Sequence, residues 1–220
     1  MSHSGKGVFI FMKKLAVCAI VMFAANAGWA SNLNVSDFSF ENYSAGAFTY
    51  SGSFAGYVPG WTFTSNAGLG SQGIGGPFNI PTTPDGTQAA FLQGNGATVS
   101  QSVAGFDSSM LYTLNVWVGT RYGSGCCTGD AGVSFFIDGV QIGTTGILTS
   151  FTPFNLYTIP FTVATSGPHT LALTNVSLPG DNTSFVDDVS IAATASPEPA
   201  TFTVIGGALL ALGLARRRRA

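Results

Sequence analysis

Charged side chains are scarce in this chain: they make up 8% of its 220 residues, against about 25% in an average soluble domain. Those present are unevenly placed. Seven of the eight basic residues lie outside Ser31–Ala195, so that body carries Arg121 alone against nine acids, a net charge of −8. Such a surface repels nucleic acid and anionic lipid, which excludes a binder of either kind. Histidine is almost missing as well: the body has only His169. No Gly-x-Ser-x-Gly elbow and no His/Cys/carboxylate spacing for zinc is present. Cysteine is limited to Cys18, Cys126 and Cys127. Long apolar runs are lacking too, since Leu15–Ala25 and Phe202–Ala215 both fall short of the ~20 residues that span a bilayer.

Both ends nevertheless carry address-like patterns. Lys13-Lys14, the apolar run and the small residues Gly28 and Ala30 form a tripartite secretory signal over residues 1–30, with cleavage by signal peptidase expected after Ala30. Met12, directly before the lysines, offers an alternative true start. At the other end, 196–220 contains Pro197, Glu198 and Pro199, an apolar segment, and Arg216, Arg217, Arg218 and Arg219. This order resembles the PEP-CTERM sorting signal of Gram-negative bacteria. The resemblance implies a transient inner-membrane anchor, processing by an exosortase, and delivery to the cell surface or extracellular matrix. Four arginines would hold that end on the cytoplasmic side.

Between these ends, the body 31–195 reads as all-β. Short runs rich in Phe, Val, Thr and Tyr recur between Gly, Pro, Asn or Asp residues, and no 3.6-residue period persists. The predicted strands are Val35–Glu41, Gly60–Thr64, Gln88–Gln93, Thr98–Val103, Leu111–Gly119, Gly132–Asp138, Asn155–Val163, His169–Ser177 and Thr183–Ala192. Asp138-Gly139 signals a hairpin and Pro84-Asp85-Gly86 another turn. The Gly- and Pro-rich stretch Ser65–Pro81 reads as a long surface loop. Phe38-Ser39-Phe40-Glu41, Pro59-Gly60-Trp61, Asp85-Gly86, Tyr112-Thr113-Leu114, Gly167–Leu171 and Phe185–Val189 together resemble the galactose-binding-like jelly rolls common among carbohydrate-binding modules. The expected architecture is a two-sheet jelly-roll sandwich.

Candidate site residues follow from strand parity. In Phe185–Ile191 a strict alternation puts Asp187 on the apolar face, where a buried carboxylate needs a partner. The resemblance implies a structural calcium between the first and last strands, which points to Glu41 and Asp187; the alternative is a carboxylate bonded to backbone amides. Asp187 and Asp188, adjacent on one strand, face opposite ways and do not form an acid/base pair. His169 follows a Gly-Pro turn and reads as structural. Trp61 reads as a core plug. Cys126 and Cys127 suit a strained vicinal disulfide, with bridges to another chain or free thiols as alternatives. Asn115 and Trp117 oppose the Tyr112–Val118 core set, Arg121 continues their parity, and Phe136 projects outward from its strand. If the two strands are neighbours, Trp117 and Phe136 form an aromatic platform for a glycan, edged by Asn115 and Arg121; otherwise a loop or sheet covers them. The body is therefore expected not to be an enzyme but an adhesive or glycan-binding module that meets an extracellular polysaccharide. A purely structural matrix component and a secreted polysaccharide hydrolase are the competing functions.

Overall fold

The computed structural model describes residues 31–53, 58–64, 66–73, 78–121 and 130–195, with Gly207 and Arg217 as isolated helical positions. Among these residues twelve strands build two antiparallel sheets: β1 (Ser31–Leu33), β2 (Phe48–Tyr50), β3 (Thr62–Phe63), β4 (Ala67–Ser71), β5 (Gln88–Gln93), β6 (Thr98–Phe106), β7 (Met110–Thr120), β8 (Ala131–Ile137), β9 (Val140–Thr144), β10 (Asn155–Phe161), β11 (Gly167–Ser177) and β12 (Thr183–Ala195). The larger sheet runs β10-β7-β12-β5-β4-β2, with β1 added beside β12, and the smaller runs β3-β6-β11-β8-β9. This is the expected jelly-roll sandwich. Among the described residues no helix is long and apolar enough to cross a membrane.

Alternation builds the main core. Leu114, Val116 and Val118 of β7, Val133 and Phe135 of β8, and Leu171 and Leu173 of β11 are fully buried between the sheets. Trp61 plugs this core as expected: it is 3% exposed, packs at 5.1 Å against the Phe40 ring, tilted by 34°, and donates its indole N–H to the Asp37 carbonyl at 2.9 Å. Asp138-Gly139 forms the β8–β9 hairpin, both residues at positive φ.

Two expected elements differ. Val35–Glu41 is a turn rather than a strand, because Asp37 and Phe40 take left-handed φ values of 46° and 59° and the Phe40 amide closes back on the Asp37 carbonyl. Ser65–Pro81 is not a surface loop either. It contains β4, paired to both β2 and β5, and then lays buried Phe78 and Ile80 on the outside of the larger sheet. Glycine is what permits this second layer: a Cβ at Gly70 would sit 2.7 Å from the Ile80 side chain.

Candidate functional site

The site begins with a gap in strand pairing. β12 pairs with β7 along most of its length. On its other side β5 covers Thr183–Val186 and β1 covers Ile191–Ala193. Between these two partners the register slips by a bulge between Asp187 and Ser190, and Asp188 takes a φ of 46°. The Val189 amide, lacking a sheet partner, donates to the Phe38 carbonyl at 3.0 Å.

That bulge corrects the assignment of Asp187 to the core face. Before it, Val186 points inward while Phe185 and Asp187 point outward, opposite Gly119 and Trp117 of β7; after it, Val189 and Ile191 return to the inner core. Asp187 thus shares the outer face of the larger sheet with Trp117 and is still fully buried. Its Oδ2 accepts the Asp85 amide at 3.2 Å and its Oδ1 the Asp188 amide at 2.8 Å. Burial dominates over these two bonds and pushes the carboxyl up to about 8, so at neutral pH it holds its proton.

An apolar wall flanks this acid. Phe78, Ile80, Phe91 and Phe185 form a second buried cluster outside the sheet, with Phe78 stacked on Phe91 at 4.3 Å and Tyr50 edge-on to Phe91 at 4.9 Å. At its far end Arg121, expected at the edge of the glycan platform, is instead buried: Nη1 meets Asp181 Oδ2 at 3.2 Å and the guanidinium lies 4.9 Å over the Phe78 ring. On the β10 side the face opens, because Trp117 is half-buried and Leu156 directly across from it is 49% exposed. Asn115 lies on this open side and accepts the Thr158 hydroxyl at 2.9 Å. A protonated carboxyl beside an aromatic floor, next to an open apolar margin, can donate a proton to an uncharged substrate.

The expected platform does not form. Trp117 belongs to the larger sheet and Phe136, on β8, to the smaller; both point away from the core, so they occupy opposite outer faces of the sandwich. Strand neighbourhood was the missing information, since β7 and β8 are consecutive in sequence but not paired. The sequence pattern places Asp85 only in a turn and Phe185 only in the last strand, and it gives Phe91 and Phe78 no site role. β5 is buried on both faces, and its uninterrupted apolar run was the one available signal of a second layer.

Glu41 and Asp187, expected to share a calcium, are both engaged with backbone amides. They grip one turn from two sides, Glu41 Oε1 taking the Thr87 and Gln88 amides at 2.7 and 2.6 Å while Asp187 takes Asp85. Among the described residues no cluster of three or more His, Cys, Asp or Glu side chains is arranged for a metal. Asp37 fits one better than Asp187 does. Its Oδ1 accepts the Asn42 amide at 3.1 Å, its Oδ2 is buried with no partner, and burial raises its pKa, with Glu41 among the smaller contributors.

His169 pins a remote corner. Nδ1 meets Asp138 Oδ2 at 2.5 Å and Nε2 the Thr165 carbonyl at 2.8 Å. Cys126, Cys127, Pro197, Glu198, Pro199, Arg216, Arg218 and Arg219, with the signal 1–30, lie outside the described residues; Arg217 is exposed.

A family model described as HpiC1 cyclase matches residues 31–194. This overturns the expectation of a non-enzymatic body, which rested on a single His, no Gly-x-Ser-x-Gly elbow, no zinc-ligand spacing and no facing carboxylate pair. A cyclase from Fischerella sp. TAU is similar at 20% identity and a TM-score of 0.59, over 77% of this chain and 100% of that one. The Stig cyclase FisC from the same organism, in complex with (3Z)-3-(1-methyl-2-pyrrolidinylidene)-3H-indole, is similar at 19% identity and 0.59, over 76% and 100%. A family 61 carbohydrate-binding module in complex with β-1,4-galactotriose is similar at 11% identity and 0.47, over 73% and 98%. No curated protein matches the chain.

Proposed function

We propose that this chain, which belongs to the HpiC1-like cyclase family, closes a ring in an uncharged, electron-rich substrate, with Asp187 as the proton donor. The observation that carries this reading is the position of Asp187, a fully buried carboxyl directly across the ladder from half-buried Trp117. An indole-like ring, the chemistry of the ligand held by the Fischerella cyclase, suits that apolar margin. The Asp187 proton adds to a substrate π-bond and leaves a cation. The Trp117 ring face stabilises that cation while a second π-bond of the same molecule attacks it and closes the ring. Loss of a proton back to the Asp187 carboxylate restores the acid, so the reaction is an isomerisation that consumes no oxidant or co-reactant. Arg121, neutralised by Asp181, adds little opposing charge.

Asp187→Asn should lower ring formation by at least ~100-fold, the range of a lost general acid, in an assay that follows 3-substituted indoles by chromatography. Retained turnover in a folded Asp187→Asn chain would sink the assignment.

Residues 1–30 act as a secretory signal, and 196–220 as a PEP-CTERM signal handled by exosortase, so that the enzyme works outside the inner membrane. A calcium ion, if bound, is held by Asp37 and Glu41 with backbone carbonyls. There it neutralises two acids and fixes the 37–42 turn that caps the pairing gap.

A further inference from the structure

The smaller sheet turns toward solvent a face with an unusual composition. β3, β6, β8, β9 and β11 contain no Asp, Glu, Lys or Arg, although the body as a whole carries nine acids. The one titratable side chain on these strands, His169, points inward with Leu171 and is 7% exposed. What faces outward is hydroxyl. Ser100 and Ser102 on β6 lie across from Ala172 and Thr170 on β11, and Thr174 lies between Thr98 and Ser134, of which Ser134 is buried at the β9 side of the face. Their hydroxyls link across strands: Thr98 to Thr174 at 2.9 Å and Ser134 to Thr144 at 3.2 Å. In the middle stands one aromatic ring, Phe136, whose ladder neighbours are Ala172 and Gln141. Ala172 leaves one side of that ring low.

This face is a regular grid. Strand spacing sets hydroxyl rows about 4.8 Å apart, and every second residue repeats along a strand at roughly 6.8 Å. Solvent-facing surfaces usually carry about 25–35% charged residues, and this face has none while the turns and the opposite half of the molecule hold the acids. Charge complementarity therefore selects the occupant. A cationic surface would be drawn to the acids elsewhere, and an anionic polymer is repelled by the net −8 body. An uncharged polymer pays neither penalty here, and its own hydroxyls find donors and acceptors on the grid while a ring's C–H face lies on Phe136.

We propose that the outer face of the smaller sheet docks the protein onto the surface of a neutral polysaccharide, on the opposite side of the sandwich from Asp187. Docking and ring closure then use separate faces, and the proposal stands whether or not the cyclase assignment does.

The test mixes the full chain with suspended particles of cellulose, chitin and β-1,3-glucan and measures the fraction left in solution. The chain should be depleted by at least one of these. Phe136→Ala, and separately Thr170→Glu with Thr174→Glu, should weaken that binding by about tenfold, equivalent to ~1.4 kcal/mol, with the near-UV circular dichroism unchanged. Asp187→Asn and Trp117→Ala should bind like the wild type. Three results would overturn the proposal: no depletion by any of the three polymers, a loss that follows Trp117→Ala instead of the smaller-sheet variants, or a wild-type dimer in sedimentation that the Glu variant splits, which would assign the face to a second copy.

Discussion

Asp187 couples two pH dependences that a single residue can test. Its folded pKa of about 8 lies above the usual carboxylate value because burial disfavours the anion. Ring closure needs the protonated form, so activity should be level through neutral pH and fall as pH rises through about 8, read from initial rates. Stability has the same sign. Below the unfolded value both states are protonated; between that value and about 8 only the unfolded state ionises, so stability declines by up to about 1.4 kcal/mol per pH unit. Above the folded pKa the decline stops. Asp187→Asn should flatten that slope in urea titrations, and an unchanged slope would place its source elsewhere. Asp37 supports a second residue-scale prediction. If its unpartnered Oδ2 ligates the calcium proposed above, chelation should lower the melting temperature and calcium restore it. The gain is about 2.7 kcal/mol when calcium is ~100 times its Kd. Asp37→Asn should abolish the calcium response, and a calcium response that survives it would reassign the ligand.

At the scale of elements, the second apolar layer depends on close approach over β4. A Cβ at Gly70 would meet the Ile80 side chain at 2.7 Å with its next neighbour at 3.5 Å, so Gly70→Ala should cost about 1–3 kcal/mol by overpacking. Gly52→Ala, with nothing within 4 Å, should stay within about 0.5 kcal/mol; equal melting temperatures for the two variants would deny that the layer is tight. The same elements show what sequence could convey. β5 matches its expected span Gln88–Gln93, and the outward parity of Trp117 was legible because β7 alternates without interruption. The parity of Asp187 was not, since a bulge leaves no fixed residue signature and reverses every side chain beyond it. The pairing of β7 with β10 and β12 was equally hidden: it joins segments far apart in the chain, and local pattern carries no record of it. For that reason Trp117 and Phe136 were each placed correctly on their own strands but wrongly joined.

For the whole molecule, the site depends on how the two ends of the body meet. β1, the three residues Ser31–Leu33, pairs with Ala193, Ala192 and Ile191 near the end of β12. It closes the pairing gap on the side away from β5, while Phe38 O holds the Val189 amide inside it. Removing β1 unpairs three residues of β12 and uncovers Ile191 and Ala193, which are otherwise 0% and 3% exposed. A chain starting at residue 35 should therefore be less stable than one starting at 31 by about 2 kcal/mol, at roughly 1 kcal/mol per lost backbone bond. In a domain of this size that corresponds to roughly 4–8 °C in melting temperature. Loosening the gap also admits water near Asp187. Its pKa should fall toward the ordinary carboxylate range, and the alkaline limb of the rate profile should move to lower pH with it. A shortened chain that melts lower while its rate profile keeps the wild-type limb would show that β1 supports the fold alone. A limb that moves would make the meeting of the two ends part of what holds the proton on Asp187.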